Sequence, residues 1–211
     1  MKVVISSGHG LYVRGASGYL DEVNEARRVV NAVAPILRGH GVDVITFHDD
    51  VSRSQSENLN RIVNFHNAQG PHDLDVSVHF NAYQTTQSPR GTECLYVSQQ
   101  ERATKMAAAM AKAGQFINRG PKKRTDLAFL NGTHAPAILL EVCFVDSRTD
   151  ADLYLVNFDP ICRAIAETIS GTEPVEPPVQ PPTETAKIVA IAIDTPDGVE
   201  VSISLNGELI K

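Results

Sequence analysis

The chain has 211 residues, 42% of them hydrophobic and 21% charged, ordinary values for a soluble globular protein with one full core and a small appendage. Its longest apolar runs, such as Ala137 to Val145 around a single acid, are too short to span a membrane, so no membrane insertion is expected. The net charge of -6 is uneven: the last 39 residues hold 2 of the 19 Lys+Arg and 7 of the 25 Asp+Glu, which leaves 17 and 18 in the first 172. That first part is near neutral and carries no basic stripe, which excludes a nucleic-acid partner.

Met1-Lys2 runs straight into Val3-Val4-Ile5 and then a Gly-rich turn. No leader with an apolar stretch of ~7–15 residues is visible, so the chain is expected to be made, and to fold, in a cytoplasm. Cys94, Cys143 and Cys162 sit among apolar neighbours with no CxxC spacing, so they read as reduced core thiols, not a structural zinc finger.

In chain order, Val3 to Ser6 predicts a strand, and Glu22 to Arg38 a helix with Ala26, Val29, Val30, Val33 and Leu37 inward. Pro35 is expected to kink that helix or end it early. Val42 to Phe47 is a second strand. Ser54 to Asn67 is a helix with Leu59, Ile62 and Val63 inward, and Ser54 with Glu57 has capping-box spacing. Strands follow at Leu74 to Phe80, Cys94 to Val97 and Ala137 to Val142, with helices at Glu101 to Ile117 and Asp159 to Ser170. Alternating β and α segments with apolar strands predict an α/β fold: a mostly parallel sheet with helices on both faces. Residues 173–186 hold five prolines in their first twelve positions and read as an extended linker. Beyond it, Ile188 to Ile193 and Val199 to Leu205 flank a turn at Thr195-Pro-Asp-Gly198, with Asn206-Gly207 as a second turn. This β tail of residues 187–211 is too small to fold alone, so it is expected to make an assembly or wall contact, self-association being favoured by its acidity.

Ligands of such sheets bind beyond the carboxyl ends of the strands. Four polar residues fall there. His9 follows the first strand between two glycines, which are expected to let the backbone turn sharply. Glu22 heads the apolar stripe of the first helix and not its solvated side, although an acid at a helix N-terminus is also favourable in itself. His79 ends the strand Leu74 to Phe80, on the face opposite Val76 and Val78. Glu141 interrupts an apolar run, where an unpaired carboxylate is costly. Either a salt bridge from Arg124 or Lys123 satisfies it, or it faces a polar site. Two His and one Glu at one rim supply the ligand set of a catalytic zinc with one position open for water, and Glu141 fits the general base. His48 and His134 are further candidates near that rim.

Ser7-Gly8-His9-Gly10, Glu22, Ser77-Val-His79-Phe-Asn81-Ala82 and Leu140-Glu141-Val-Cys-Phe144 together resemble the type-3 N-acetylmuramoyl-L-alanine amidases, and more narrowly the catalytic domains of phage endolysins. The likeness covers roughly residues 1–171. It implies one zinc on His9, Glu22 and His79, with Glu141 as catalytic carboxylate. It also implies hydrolysis of the bond between N-acetylmuramic acid and L-alanine in bacterial peptidoglycan, by an enzyme released from the host cytoplasm to lyse the cell. Two positions depart from the commoner bacterial pattern: Ser6-Ser-Gly-His9 replaces Asp-Pro-Gly-His, and Ala26 stands where an Asn is usual. Both suit the phage branch. The rival readings are a zinc peptidase cutting within the stem peptide and a wall-binding module without catalysis.

Overall fold

The computed structural model describes residues 1–172, together with two short strands, Ile203–Leu205 and Glu208–Ile210. Within residues 1–172 the order is β1 (Lys2–Gly10), α1 (Glu22–Gly39), β2 (Asp43–Asp49), α2 (Gln55–Asn67), β3 (Leu74–Asn81) and β4 (Thr92–Tyr96). Then come α3 (Gln100–Gly114), β5 (Asn118–Lys123), α4 (Ala128–Gly132), β6 (Ala137–Phe144), α5 (Arg148–Val156) and α6 (Phe158–Ser170). The six strands form one sheet in the order β2-β1-β3-β6-β4-β5, with β4 antiparallel to β6 and every other pairing parallel. The predicted α/β architecture is therefore present.

Each face of the sheet is apolar because side chains alternate along a strand. Val76 and Val78 of β3 and Leu140 and Val142 of β6 pack on the side of α1, α3 and α6, against residues such as Val29, Met106 and Ile165. Leu95 and Leu139 point the other way, onto Ile62 of α2 and Phe129 of α4. Burying each large aliphatic side chain contributes ~1.5–3 kcal/mol, so both layers are held by the strand sequence itself.

Several expectations are corrected. Helix α1 does not end early at Pro35 but runs on to Gly39, because only the amide that would have bonded Asn31 is lost and that turn is solvent-facing. Helix α2 has its capping box, but buries Asn58 and His66 along with Ile62, while Leu59 and Val63 are only half-buried. The reason is polar: Asn58 donates to Asp49 at 2.8 Å, and His66 is held between Asp75 at 2.6 Å and Ser6 at 2.9 Å. Helix α3 stops at Gly114 and not at Ile117, since Gln115 turns left-handed at φ 57° and caps it. The chain then makes β5, an unanticipated edge strand containing Pro121, a residue such an edge tolerates. Helices α4 and α5 were also unanticipated. The linker and the predicted strand at residues 188–193 lie outside the described residues. In the tail, Ile203–Leu205 and Glu208–Ile210 pair antiparallel, with Leu205 opposite Glu208.

Candidate metal centre

The parallel pairing β1-β3-β6 sets His9, His79 and Glu141 along one rim. His79 and Glu141 are register partners on neighbouring strands, on the face opposite Val78 and Leu140. β1 is longer than its apolar core and carries His9 within its last residues. His9 itself adopts φ 59°, a left-handed backbone rare outside glycine and concentrated at functional sites. Gly8 and Gly10 do not show positive φ, so the expectation that they provide the turn is wrong. Gly8 provides space instead: a β-carbon there would lie 2.1–2.4 Å from the His79 ring. Gly15 does the same for Glu22, whose Oε2 would be 2.1 Å from a β-carbon.

Glu22 is 3% exposed at the start of α1, where Asp21, and not Glu22, caps the helix by accepting from the Asn24 amide. Its carboxylate is fixed by backbone donors, Ala16 N–H to Oε2 at 2.7 Å and Phe80 N–H to Oε1 at 3.1 Å. Two ring nitrogens converge on the same Oε1: His79 Nδ1 at 3.0 Å and His9 Nε2 at 3.3 Å. Burial pushes the Glu22 carboxyl up, but hydrogen bonds from His79 and His9 outweigh it and hold the group well below the usual carboxylate range. Ligand atoms of the three residues lie within 4.8 Å of one another. The two edges from Glu22 Oε1, 3.0 and 3.3 Å, are close to the ~3.3 Å edge of a tetrahedron with ligand distances of ~2.0 Å, and the donor types suit a small divalent cation.

Glu141 keeps a partly exposed surface, yet its Oε2 is buried and has no hydrogen-bond partner among the described residues. Burial raises its pKa well above the ordinary value, and the charges of Glu22 and Glu93 raise it further. The salt-bridge alternative fails. Arg124 forks onto Asp126 through two 2.8 Å bonds, and no described ion pair joins Glu141 to Arg124 or Lys123.

His48 and His134 stand apart from the cluster. His48 bonds Ser7 Oγ at 2.8 Å and Asn31 at 3.1 Å, and His134 is tied through its backbone N–H to Asn67. The sequence reading missed Glu93, which is 8% exposed and the direct antiparallel partner of Glu141. It accepts from Arg119 Nε at 2.7 Å and Asn81 Nδ2 at 3.1 Å. Glu93 stands just before the apolar stretch Cys94-Leu-Tyr96 and not within it, so its burial leaves no signal in the sequence pattern.

A sheet rim that gathers a preformed His–Glu–His set beside an unpartnered acid offers the groups that metal-assisted hydrolysis needs. The family described as N-acetylmuramoyl-L-alanine amidase matches residues 3–170, and the chain belongs to that family. The chain is 31% identical over 191 residues to an uncharacterized 38.4 kDa protein of Clostridium perfringens, covering 82% of this chain and 54% of that protein. It therefore spans about half the length of this curated relative. Among solved structures it resembles the catalytic domain of the CD27L endolysin targeting Clostridia Difficile, at 27% identity and TM-score 0.72, covering 81% of this chain and 97% of that one. It also resembles Cwp6 from Clostridium difficile, at 26% identity and TM-score 0.69, covering 81% of this chain and 29% of that one.

Proposed function

We propose that the chain hydrolyses the amide bond between N-acetylmuramic acid and L-alanine in bacterial peptidoglycan, using one zinc ion on His9, Glu22 and His79. The observation that carries this reading is the convergence of His9 Nε2 and His79 Nδ1 on one buried oxygen of Glu22, next to an acid with an unpartnered oxygen. When bound, the cation would supply Lewis acidity to water and to the scissile carbonyl. Glu141 takes the attacking water's proton and delivers it to the leaving amine of L-alanine. Its raised proton affinity, caused chiefly by burial, suits a group that must accept a proton and then give it up. Glu22 and the left-handed backbone at His9 hold the two imidazoles before substrate arrives, so little ordering is left to binding.

The biological setting we propose is host lysis by a phage endolysin, supported by likeness to an endolysin catalytic domain. Digestion of purified Gram-positive cell walls, with and without chelator, tests both chemistry and metal. Chelator-sensitive release of free amino groups on L-alanine is expected. New amino termini on any other stem residue would transfer the reading to a peptidase, and no release at all would favour a binding module. For residues 187–211 we propose self-association.

A further inference from the structure

The metal centre lies at an open rim, while an open groove of about 800 Å³ lies elsewhere, between the end of β2 and the outer side of α2. None of His9, Glu22, His79 or Glu141 lines it. Its volume is within the ~300–1,000 Å³ of small-molecule sites. Phe47 and Phe65 line it as a stacked pair, 4.1 Å between ring centroids and 18° between planes. Asn60, Asn64, Arg53 and Arg61 surround them.

The acids around this groove are already committed. Asp49 accepts from Val51 N–H, Ser52 N–H and Asn58 Nδ2, and Glu57 accepts from Arg53 N–H and Ser54 N–H. The exposed side-chain amides of Asn60 and Asn64 bond to no described residue. The groove thus offers neutral amides around an aromatic floor, with Arg61 paired to Asp49 at 3.5 Å and Arg53 stacked on Tyr12 at its edge. Sugar rings present apolar C–H faces edged by hydroxyl and acetamide groups, and this lining complements both.

One side chain links the groove to the metal centre. The Arg53 guanidinium lies 3.6 Å from the centroid of Tyr12, whose ring is half-exposed. Tyr12 follows His9 by three residues, so its Cα is within ~11 Å of the His9 Cα. The groove wall at Arg53 therefore touches the loop that directly follows His9.

We propose that this groove binds the N-acetylated glycan strand of the substrate, two or more sugars away from the cleaved muramoyl amide. The inference rests on the amidase reading above for the identity of the polymer. The groove would hold a long strand next to the rim that carries His9.

The test uses the full-length protein, uniformly ¹⁵N-labelled, titrated with the β-1,4 hexamer of N-acetylglucosamine. The side-chain amide signals of Asn60 and Asn64 are expected to shift. The double variant Asn60→Ala, Asn64→Ala is expected to bind the hexamer about tenfold more weakly, the loss of one or two hydrogen bonds. Both positions are exposed, and an otherwise unchanged amide spectrum would show the variant folded. Absence of hexamer binding, shifts only at other residues, or undiminished affinity in the variant would overturn the proposal. So would salt-sensitive binding of poly(glycerol phosphate) at these amides in place of the hexamer, which would make the groove an anion site. Wild-type cleavage of a short N-acetylmuramoyl-L-alanyl peptide, followed in parallel, separates the two readings: its failure alongside intact hexamer binding strikes the amidase reading alone.

Discussion

Gly8 shows how tightly single residues fix the candidate metal site. Its missing β-carbon leaves the volume that the His79 ring occupies, at contact distances of 2.1–2.4 Å that no real carbon could keep. Gly8→Ala should therefore push His79 off Glu22 and reduce bound metal about as severely as His79→Ala, with the fold retained. Metal analysis and circular dichroism together check this, and full metal in Gly8→Ala would mean the ring can move. Glu141→Gln is nearly isosteric but cannot accept a proton, so turnover should fall by ~10²–10⁴ with metal retained. The same variant carries a stability prediction. Burial raises the Glu141 pKa in the fold, so its contribution favours folding below the ordinary 4.5 and is lost as pH rises through the folded value. Chelator-treated Glu141→Gln should therefore melt ~2–4 °C above chelator-treated wild type at pH 8, with the gap closing near pH 4. Equal melting at both pH values would mean that Glu141 carries no buried charge.

At the scale of elements, Asp150 ties the far end of the site together. It is fully buried at the start of α5, and its carboxylate accepts from the backbone of Arg90 and Gly91 before β4 and from Phe144 at the end of β6. Those bonds dock the loop between β3 and β4 against the end of β6, and so position Glu93 opposite Glu141. Asp150→Ala would orphan several buried amides at once and should cost ~2–4 kcal/mol. Urea unfolding measures it, and a loss under ~0.5 kcal/mol would show that water replaces the carboxylate. The Ser6–His66–Asp75 chain is another such tie, linking β1, α2 and β3 beneath the site. All three residues are fully buried, which makes it a structural network closed to any substrate.

For the whole molecule, the family match ends at residue 170, and the six-stranded sheet, both packed faces and the candidate metal site all lie within residues 1–172. Truncation after Thr172 should leave a folded protein with wild-type wall hydrolysis per molecule, while light scattering should show a smaller assembly than the full chain. Equal mass per particle in both would remove the role proposed for the tail. Insoluble truncated protein would instead make residues 173–211 part of the core.

By itself the sequence determined the periodic elements and the alternating α/β order, and it singled out four polar residues that the fold brings to one rim. Apolar stripes such as Val29, Val33 and Leu37 declare a buried face without reference to anything distant, and Glu141 is conspicuous because the residues around it are apolar. Strand β5 was illegible, since Asn-Arg-Gly-Pro-Lys-Lys has no alternation and becomes a strand only because β4 offers it a free edge. Glu93, Asn58 and His66 were missed for the same reason. Each is polar, and each is buried only because a partner on another element satisfies it: Arg119 of β5, Asp49 of β2 and Asp75 of β3. Likewise the sequence placed His9 at the rim, but only the tertiary structure decided that His9 takes the left-handed backbone and that Gly8 stands aside for His79. Periodicity is a local property of the chain, whereas polar satisfaction and steric room belong to pairs of residues that folding alone brings together.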